Sequence, residues 1–271
     1  MTGRDQSRQI KIRKLNGNQS ITEESDVVAL EEPLEIRIRG NAIATTMRTP
    51  GNDIELTAGF ISSEGIIKKR RDILEIAHCE DDKTIDDKNI VNVFLHSDVK
   101  IDPEKVKRHF IANSSCGICG KATIESLHSL FPPIKSTISI STKNLNKFPE
   151  KLRNSQDTFD QTGGLHAAAI FDSDGSTVGT REDVGRHNAV DKIIGLSVLE
   201  EIDLSSQILM VSGRISYEIM QKSLAAQIPI VAAISAPTSL AVEFAAENNQ
   251  TLIGFMRNNK MNIYTGHERI N

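Results

Sequence analysis

Three cysteines in 271 residues are too few for a disulfide framework, and a chain of this length buries enough surface to need neither a disulfide nor a metal staple. No apolar stretch approaches the roughly 20 residues that a membrane helix requires. Nor does an apolar core follow the early cations Arg4, Arg8, Lys11, Arg13 and Lys14, where Asp5 interrupts the run. A secretory signal is therefore not expected, and the cytoplasm is the expected location. A surplus of positive charge is also missing. Thirty-two basic against 36 acidic residues leave a formal charge of −4, which argues against general attraction to nucleic acid, although local patches can still hold small anions. No repeat recurs at a fixed period.

The residues up to 28 read as a flexible, solvated arm leading into a first strand. From 29 to 141 the chain reads as β-rich. Alternating or β-branched runs occur at Ala29–Arg39, Ala42–Arg48, Ile73–His78 and Ile90–Leu95, with Pro33, Gly40 and Pro50-Gly51 between them. Glu55–Gly59 looks helical. Lys68-Lys69-Arg70-Arg71 is read as a solvated turn. Asp102-Pro103 caps a short helix through Phe110, and Ile124, Leu127 and Leu130 lie at helical spacing before Pro132-Pro133. Residues 142–162 are polar and read as a linker with a helical portion. From 163 to 271 strands and helices alternate: strands at 165–171, 176–180, 208–211 and 230–234, helices at 187–194, 215–227 and 238–247, and a closing hairpin over 252–264. That order predicts a three-layer α/β/α sheet.

Cys116-Gly117-Ile118-Cys119 is the first chemically informative feature. In a reducing compartment such a pair is redox-active, metal-binding or nucleophilic more often than structural. A helix N-terminus and a nearby cation lower a thiol pKa, and Ser114 or Ser115 as cap and Lys121 as cation supply both here. Glycines at 117 and 120 leave the sulfurs uncrowded. The rivals are half of a zinc site, which lacks a second C-x-x-C; a thioredoxin-like dithiol, whose βαβ context is missing; and two buried inert thiols.

Further along, Ser212-Gly213-Arg214, Ala236-Pro237-Thr238-Ser239 and Glu182-Asp183-Val184-Gly185-Arg186-His187 each stand where a strand ends and a helix begins. Ligands of open α/β sheets bind beyond the carboxyl ends of the strands, where helix amides and arginines meet phosphate. Gly254-Phe255-Met256-Arg257-Asn258-Asn259-Lys260 adds two cations around a turn. None of these is a P-loop or a G-x-G-x-x-G fingerprint. Each alone is ordinary capping and turn chemistry, but together they imply a nucleotide or phosphorylated cofactor. His166 sits like the first residue of a zinc deaminase H-x-E motif, yet Ala168 stands where the glutamate belongs, so hydrolytic deamination is not expected.

These segments together resemble the FdhD/NarQ family of formate dehydrogenase accessory sulfurtransferases. The matching stretches are Ser-Cys-Gly-Ile-Cys-Gly at 115–120, Gly-Gly-Leu-His-Ala-Ala-Ala at 163–169 and Glu-Asp-Val-Gly-Arg-His-Asn-Ala-Val-Asp-Lys at 182–192. They continue with Ser-Gly-Arg-Ile-Ser-Tyr-Glu-Ile-Met-Gln-Lys at 212–222, Ser-Ala-Pro-Thr-Ser-Leu-Ala-Val-Glu at 235–243 and Gly-Phe-Met-Arg at 254–257. The resemblance implies a cytidine-deaminase-like fold without deaminase chemistry. It further implies sulfur received from a cysteine desulfurase, a persulfide on Cys116 with Cys119 assisting or sharing the sulfur, and transfer to a molybdenum bis-molybdopterin guanine dinucleotide cofactor. Formate dehydrogenase is then the client. Guanine nucleotide binding, homodimerisation and a cofactor segment at Phe255-Met256-Arg257-Asn258-Asn259-Lys260 are implied as well. Ser212, Gly213, Arg214, His166, Arg186 and His187 complete the expected cofactor site. Asn258-Asn259-Lys260 departs from the glycine and arginine that relatives often carry there.

Overall fold

The computed structural model describes residues 5–15, 17, 21–79, 88–100 and 131–271. Cys116, Cys119 and the helices expected on either side of them lie outside the described residues, as does most of the charged turn before Lys88.

The arm is a hairpin over its described part. Strands β1 (Ser7–Leu15) and β2 (Ile21–Ala29) pair antiparallel, with Leu15 opposite Ile21 at the far end and both well exposed. Next come β3 (Glu32–Ile38), β4 (Asn41–Arg48), α1 (Asp53–Ser63), β5 (Ile73–His78) and β6 (Ile90–Leu95). The four strands form one sheet in the order β4-β3-β6-β5. Leu34, Ile36 and Ile38 alternate with Glu35 and Arg37, so one face of β3 is buried and the other meets solvent. The buried face packs with Leu56 and Ile61 of α1.

The rest of the chain builds a second, larger sheet. Its elements are α2 (Thr142–Leu145), α3 (Phe148–Arg153), α4 (Asp157–Thr162), β7 (His166–Phe171), β8 (Thr177–Asp183) and α5 (Arg186–Leu199), then β9 (Ile208–Val211), α6 (Tyr217–Ala225), β10 (Ile230–Ala233), α7 (Ser239–Glu247), β11 (Thr251–Arg257) and β12 (Lys260–Thr265). Strand order is β12-β11-β10-β9-β7-β8, with β9, β10 and β11 parallel and the flanking pairs antiparallel. Helices α5, α6 and α7 cover one face through Val190, Ile193, Met220, Leu224 and Phe244. The opposite face is covered by Leu145, Phe148 and Leu152, and the Phe148 ring stacks on Phe171 with centroids 4.0 Å apart. This is the three-layer α/β/α arrangement expected from the sequence.

The stretch 142–162 is thus a folded layer rather than a connecting segment. Leu145, Phe148 and Leu152 are fully buried, but three apolar residues spread over short helices and diluted by Lys, Asn and Pro leave little periodicity to read.

The two sheets meet where α1 crosses α5. A methyl group on Gly59 would lie 1.8 Å from the Asp191 carbonyl oxygen, and one on Gly195 would lie 1.7 Å from that of Glu55. Only a pair of glycines allows backbones so close. Buried polar groups seal the seam on both sides. Ser63 donates to Asp191 at 2.8 Å, and Lys222 donates to both oxygens of the same carboxylate at 2.9 and 2.8 Å. Asp183 accepts from Lys192 at 2.7 Å, and Lys192 also donates to the Thr49 carbonyl at 2.9 Å. Arg181 is paired with Glu55 of α1.

Candidate functional site

One end of the large sheet gathers the cofactor-site residues expected from the sequence, except that Met256 turns its side chain into the core. The register sets His166 opposite Asp183, Ala168 opposite Val211, Val211 beside Ala233, and Ala232 beside Ile253. The carboxyl ends of β8, β9, β10 and β11 and the start of β7 therefore share one edge. His166 opens β7; Arg186 and His187 open α5 just after β8; Ser212, Gly213 and Arg214 follow β9; Phe255 to Lys260 carry the β11–β12 turn.

Local bonds explain the placement. Ser212 is tied to β7 twice: its amide donates to the Ala167 carbonyl and its hydroxyl accepts from the Ala167 amide, both at 2.9 Å. Gly213 then passes so close to the imidazole that a methyl group there would stand 3.2 Å from His166 Nδ1 and 3.8 Å from Arg186 Cβ. The loops after β9 and β10 brace each other through the Ile215 amide to Ala236 (3.2 Å) and the Thr238 amide to Ile215 (3.0 Å). Thr238 caps α7 by accepting from the Ala241 amide. Asp183 fixes the turn into α5, accepting from Gly185 N at 2.8 Å and Asn188 Nδ2 at 2.9 Å.

At the hairpin tip Asn258 and Asn259 both have positive φ (54° and 57°), the backbone of a tight two-residue turn that asparagine tolerates, and Arg257 and Lys260 face each other across it. Phe255 is more unusual. It is a bulky residue at φ 55°, held by its amide donating to the Ser235 carbonyl at 3.0 Å, and the residue is about one-third exposed (36%). Met256 points the other way, buried in the core under α2 and α3. Of the hairpin segment, Phe255, Arg257, Asn258, Asn259 and Lys260 thus remain accessible to a ligand.

The electrostatics favour an anion. Burial, then Arg186, pushes the His166 pKa down, with Asp183 opposing. Burial, then Lys222 and Arg186, lowers that of His187 to about 4, with Glu218 opposing. Both imidazoles are neutral near pH 7 beside a guanidinium, so the charge they meet is positive. Arg186 Nε and the Tyr217 hydroxyl are buried without a hydrogen-bond partner among the described residues, and burial with Glu218 pushes the Tyr217 pKa up to about 12. An unpaired buried guanidinium nitrogen is the kind of donor that a phosphate oxygen completes.

Ser216, Glu218 and Lys222 belong to this site but are not legible as such in the sequence. His187 Nε2 lies 3.2 Å from Ser216 Oγ and 3.8 Å from a Glu218 carboxylate oxygen. The available signals are their place in the family-like stretch 212–222 and the four-residue spacing of Glu218 and Lys222, which sets those two on one side of α6. Among the described residues no group of three or more His, Cys, Asp or Glu side chains is arranged to hold a metal ion. No helix among them is long and apolar enough to cross a membrane.

A model of the FdhD/NarQ family matches residues 29–271. The sulfur carrier protein FdhD of Streptomyces coelicolor is 44% identical over 99% of this chain and 96% of its own length. The sulfur carrier protein FdhD of Sulfolobus acidocaldarius is also 44% identical, over 98% of this chain and 99% of its own length. A crystal structure from Desulfotalea psychrophila, of a protein assigned as a formate dehydrogenase accessory protein, matches with a TM-score of 0.79 at 24% identity, covering 98% of this chain and all of that one. That likeness concerns the fold.

Proposed function

Because the chain belongs to the FdhD/NarQ family, we propose that it is a sulfur carrier serving formate dehydrogenase. Cys116 accepts the sulfur. Its thiolate attacks the outer sulfur of a cysteine desulfurase persulfide; the donor's S–S bond breaks, a new S–S bond forms on Cys116, and the donor cysteine leaves as a thiolate. In the second transfer Cys119 attacks the inner sulfur, so the outer one departs as sulfide and the two cysteines are left as a disulfide. Electrons balance without an external reductant in that step. The recipient is the molybdenum bis-molybdopterin guanine dinucleotide cofactor, carried as cargo. The protein acts in the cytoplasm as a homodimer.

The sulfur half of this reading is supported by relatives of near-full length that carry the sulfur-carrier name. The cofactor half rests on one observation: a single sheet edge bearing Arg186, Arg214, Arg257 and Lys260, with two neutral imidazoles and an unpaired buried arginine nitrogen. Phosphates meet the arginines and helix starts there, and Phe255 offers an aromatic face to a base.

The test is intact-mass measurement after incubation with a cysteine desulfurase and L-cysteine. The expected result is a reductant-labile gain of one sulfur atom that Cys116→Ser abolishes. An unmodified wild type beside an active desulfurase would overturn sulfur transfer and leave a cofactor-binding chaperone as the reading.

A further inference from the structure

The nucleotide edge contains a hydrogen-bonded chain that the sulfur chemistry does not use. It runs from His187 at the start of α5 through Ser216 to Glu218 at the start of α6. Ser216 is buried, 3.2 Å from His187 Nε2, and its hydroxyl also holds the Glu218 carboxylate below its ordinary pKa against the upward push of burial. With the serine proton directed to Glu218, Ser216 Oγ accepts from His187 Nε2–H. That leaves Nδ1 as the basic nitrogen of a neutral ring.

The groups facing this ring come from three elements. Arg186 lies beside it on α5, His166 stands on β7, and Lys222 approaches from α6 one turn beyond Glu218. Behind Lys222 are Asp191 of α5, at 2.8 Å, and Glu64 at the end of α1, at 3.9 Å. Burial and the cations together keep the imidazole uncharged near pH 7. A phosphate group arriving beside Arg186 adds negative charge to this surrounding and reverses the balance.

We propose that His187 takes up one proton from solvent when a phosphate-bearing ligand occupies this edge, and that Ser216 and Glu218 are positioning residues that fix the ring for that uptake. The proposal rests on reading the edge as a nucleotide site. No covalent bond changes: one proton moves from water to the imidazole, and the resulting imidazolium pairs with the bound anion. The bound state then holds more protons than the free state. Affinity rises as pH falls from the bound-state pKa toward the free value of about 4, by up to about tenfold per pH unit, and is flat above the bound-state pKa. Once the ligand is in place the imidazolium adds to the charge supplied by Arg186, so binding is sensed at α5.

The experiment is calorimetric titration with guanosine diphosphate at pH 6, in two buffers of different ionisation enthalpy, on the full chain and on His187→Gln. Comparing the two proteins cancels the ligand's own phosphate titration. Proton uptake by the wild type that is lost in a still-binding His187→Gln supports the proposal. Equal proton counts in both proteins overturn it while leaving the nucleotide site standing, whereas absence of any binding by the wild type overturns both. If His187→Gln does not fold, the His187 ring is titrated by NMR in the wild type instead. A pKa raised by ligand supports the uptake, and an unmoved one ends it. Ser216→Ala, which keeps the imidazole but frees it to turn, is expected to reduce the uptake without abolishing binding.

Discussion

The two main sheets solve burial differently. In the six-stranded sheet, β9 and β10 are buried at every position, because helices cover both faces. In the four-stranded sheet, β3 and β6 alternate buried and more open positions, because among the described residues the cover comes from one side, chiefly from α1. A site needs a rigid frame with an open rim, and the doubly covered sheet provides it. A one-residue slip of its strands would exchange side chains between two differently packed buried faces, so the loops at its edge hold their relative positions. The alternating sheet acts as a buttress, reaching the site through α1 and α5 and through Thr49 after β4, whose amide donates to Asp183 and whose hydroxyl accepts from the Val184 amide.

The largest expected effect separates the sheets directly. Val231→Asp places a carboxylate in the fully covered β10 and is expected to abolish folding, with a cost of about 4 kcal/mol or more. Glu75→Lys on the open side of β5 is expected to change stability by less than about 0.5 kcal/mol, so denaturation of both variants measures the contrast. Comparable losses in the two would break it.

The seam comes next. Gly195→Ala forces a methyl group toward the Glu55 carbonyl and is expected to cost about 3 kcal/mol, read as a lower urea midpoint. A neutral outcome would mean that α1 and α5 separate freely and the buttress is dispensable.

The smallest effect concerns the rim. His187 has a folded-state pKa of about 4, below its ordinary 6.5. As pH falls from 6.5 to 4 the unfolded chain binds a proton that the folded one refuses, so stability drops across that window. His166, shifted in the same direction, adds to the drop. Stability measured against pH should fall less steeply in His187→Gln. Because the ring is about one-third exposed (35%), the difference is modest.

Much of the large sheet is readable in the sequence because its strands are short apolar runs set between helices. Ile208–Val211 is found at its expected bounds, and Ile230–Ala233 within one residue. The same alternation marks which loops share an edge, so the expected cofactor residues are brought together with the exception of Met256, which faces the core. What is not readable depends on contacts between distant elements. Ser216 and His187 are 29 residues apart and meet because α5 and α6 lie side by side on one face. Gly59 and Gly195 look like weak points in two helices until their partner is known. The layer at 142–162 hides because its three core residues sit among polar ones.

The glycine crossing also sets how the chain can be divided. A cut after residue 162 would leave the later fragment with α5 intact but with a bare, side-chain-less groove along it, and with Lys192 parted from its acceptor at Thr49. The earlier fragment would keep α1 on its own sheet but with the side that meets α5 bare, and Ser63 without Asp191. Neither piece carries a substitute for the other's surface. Expression of either half alone should give insoluble material, while co-expression of the two should let each act as the other's template.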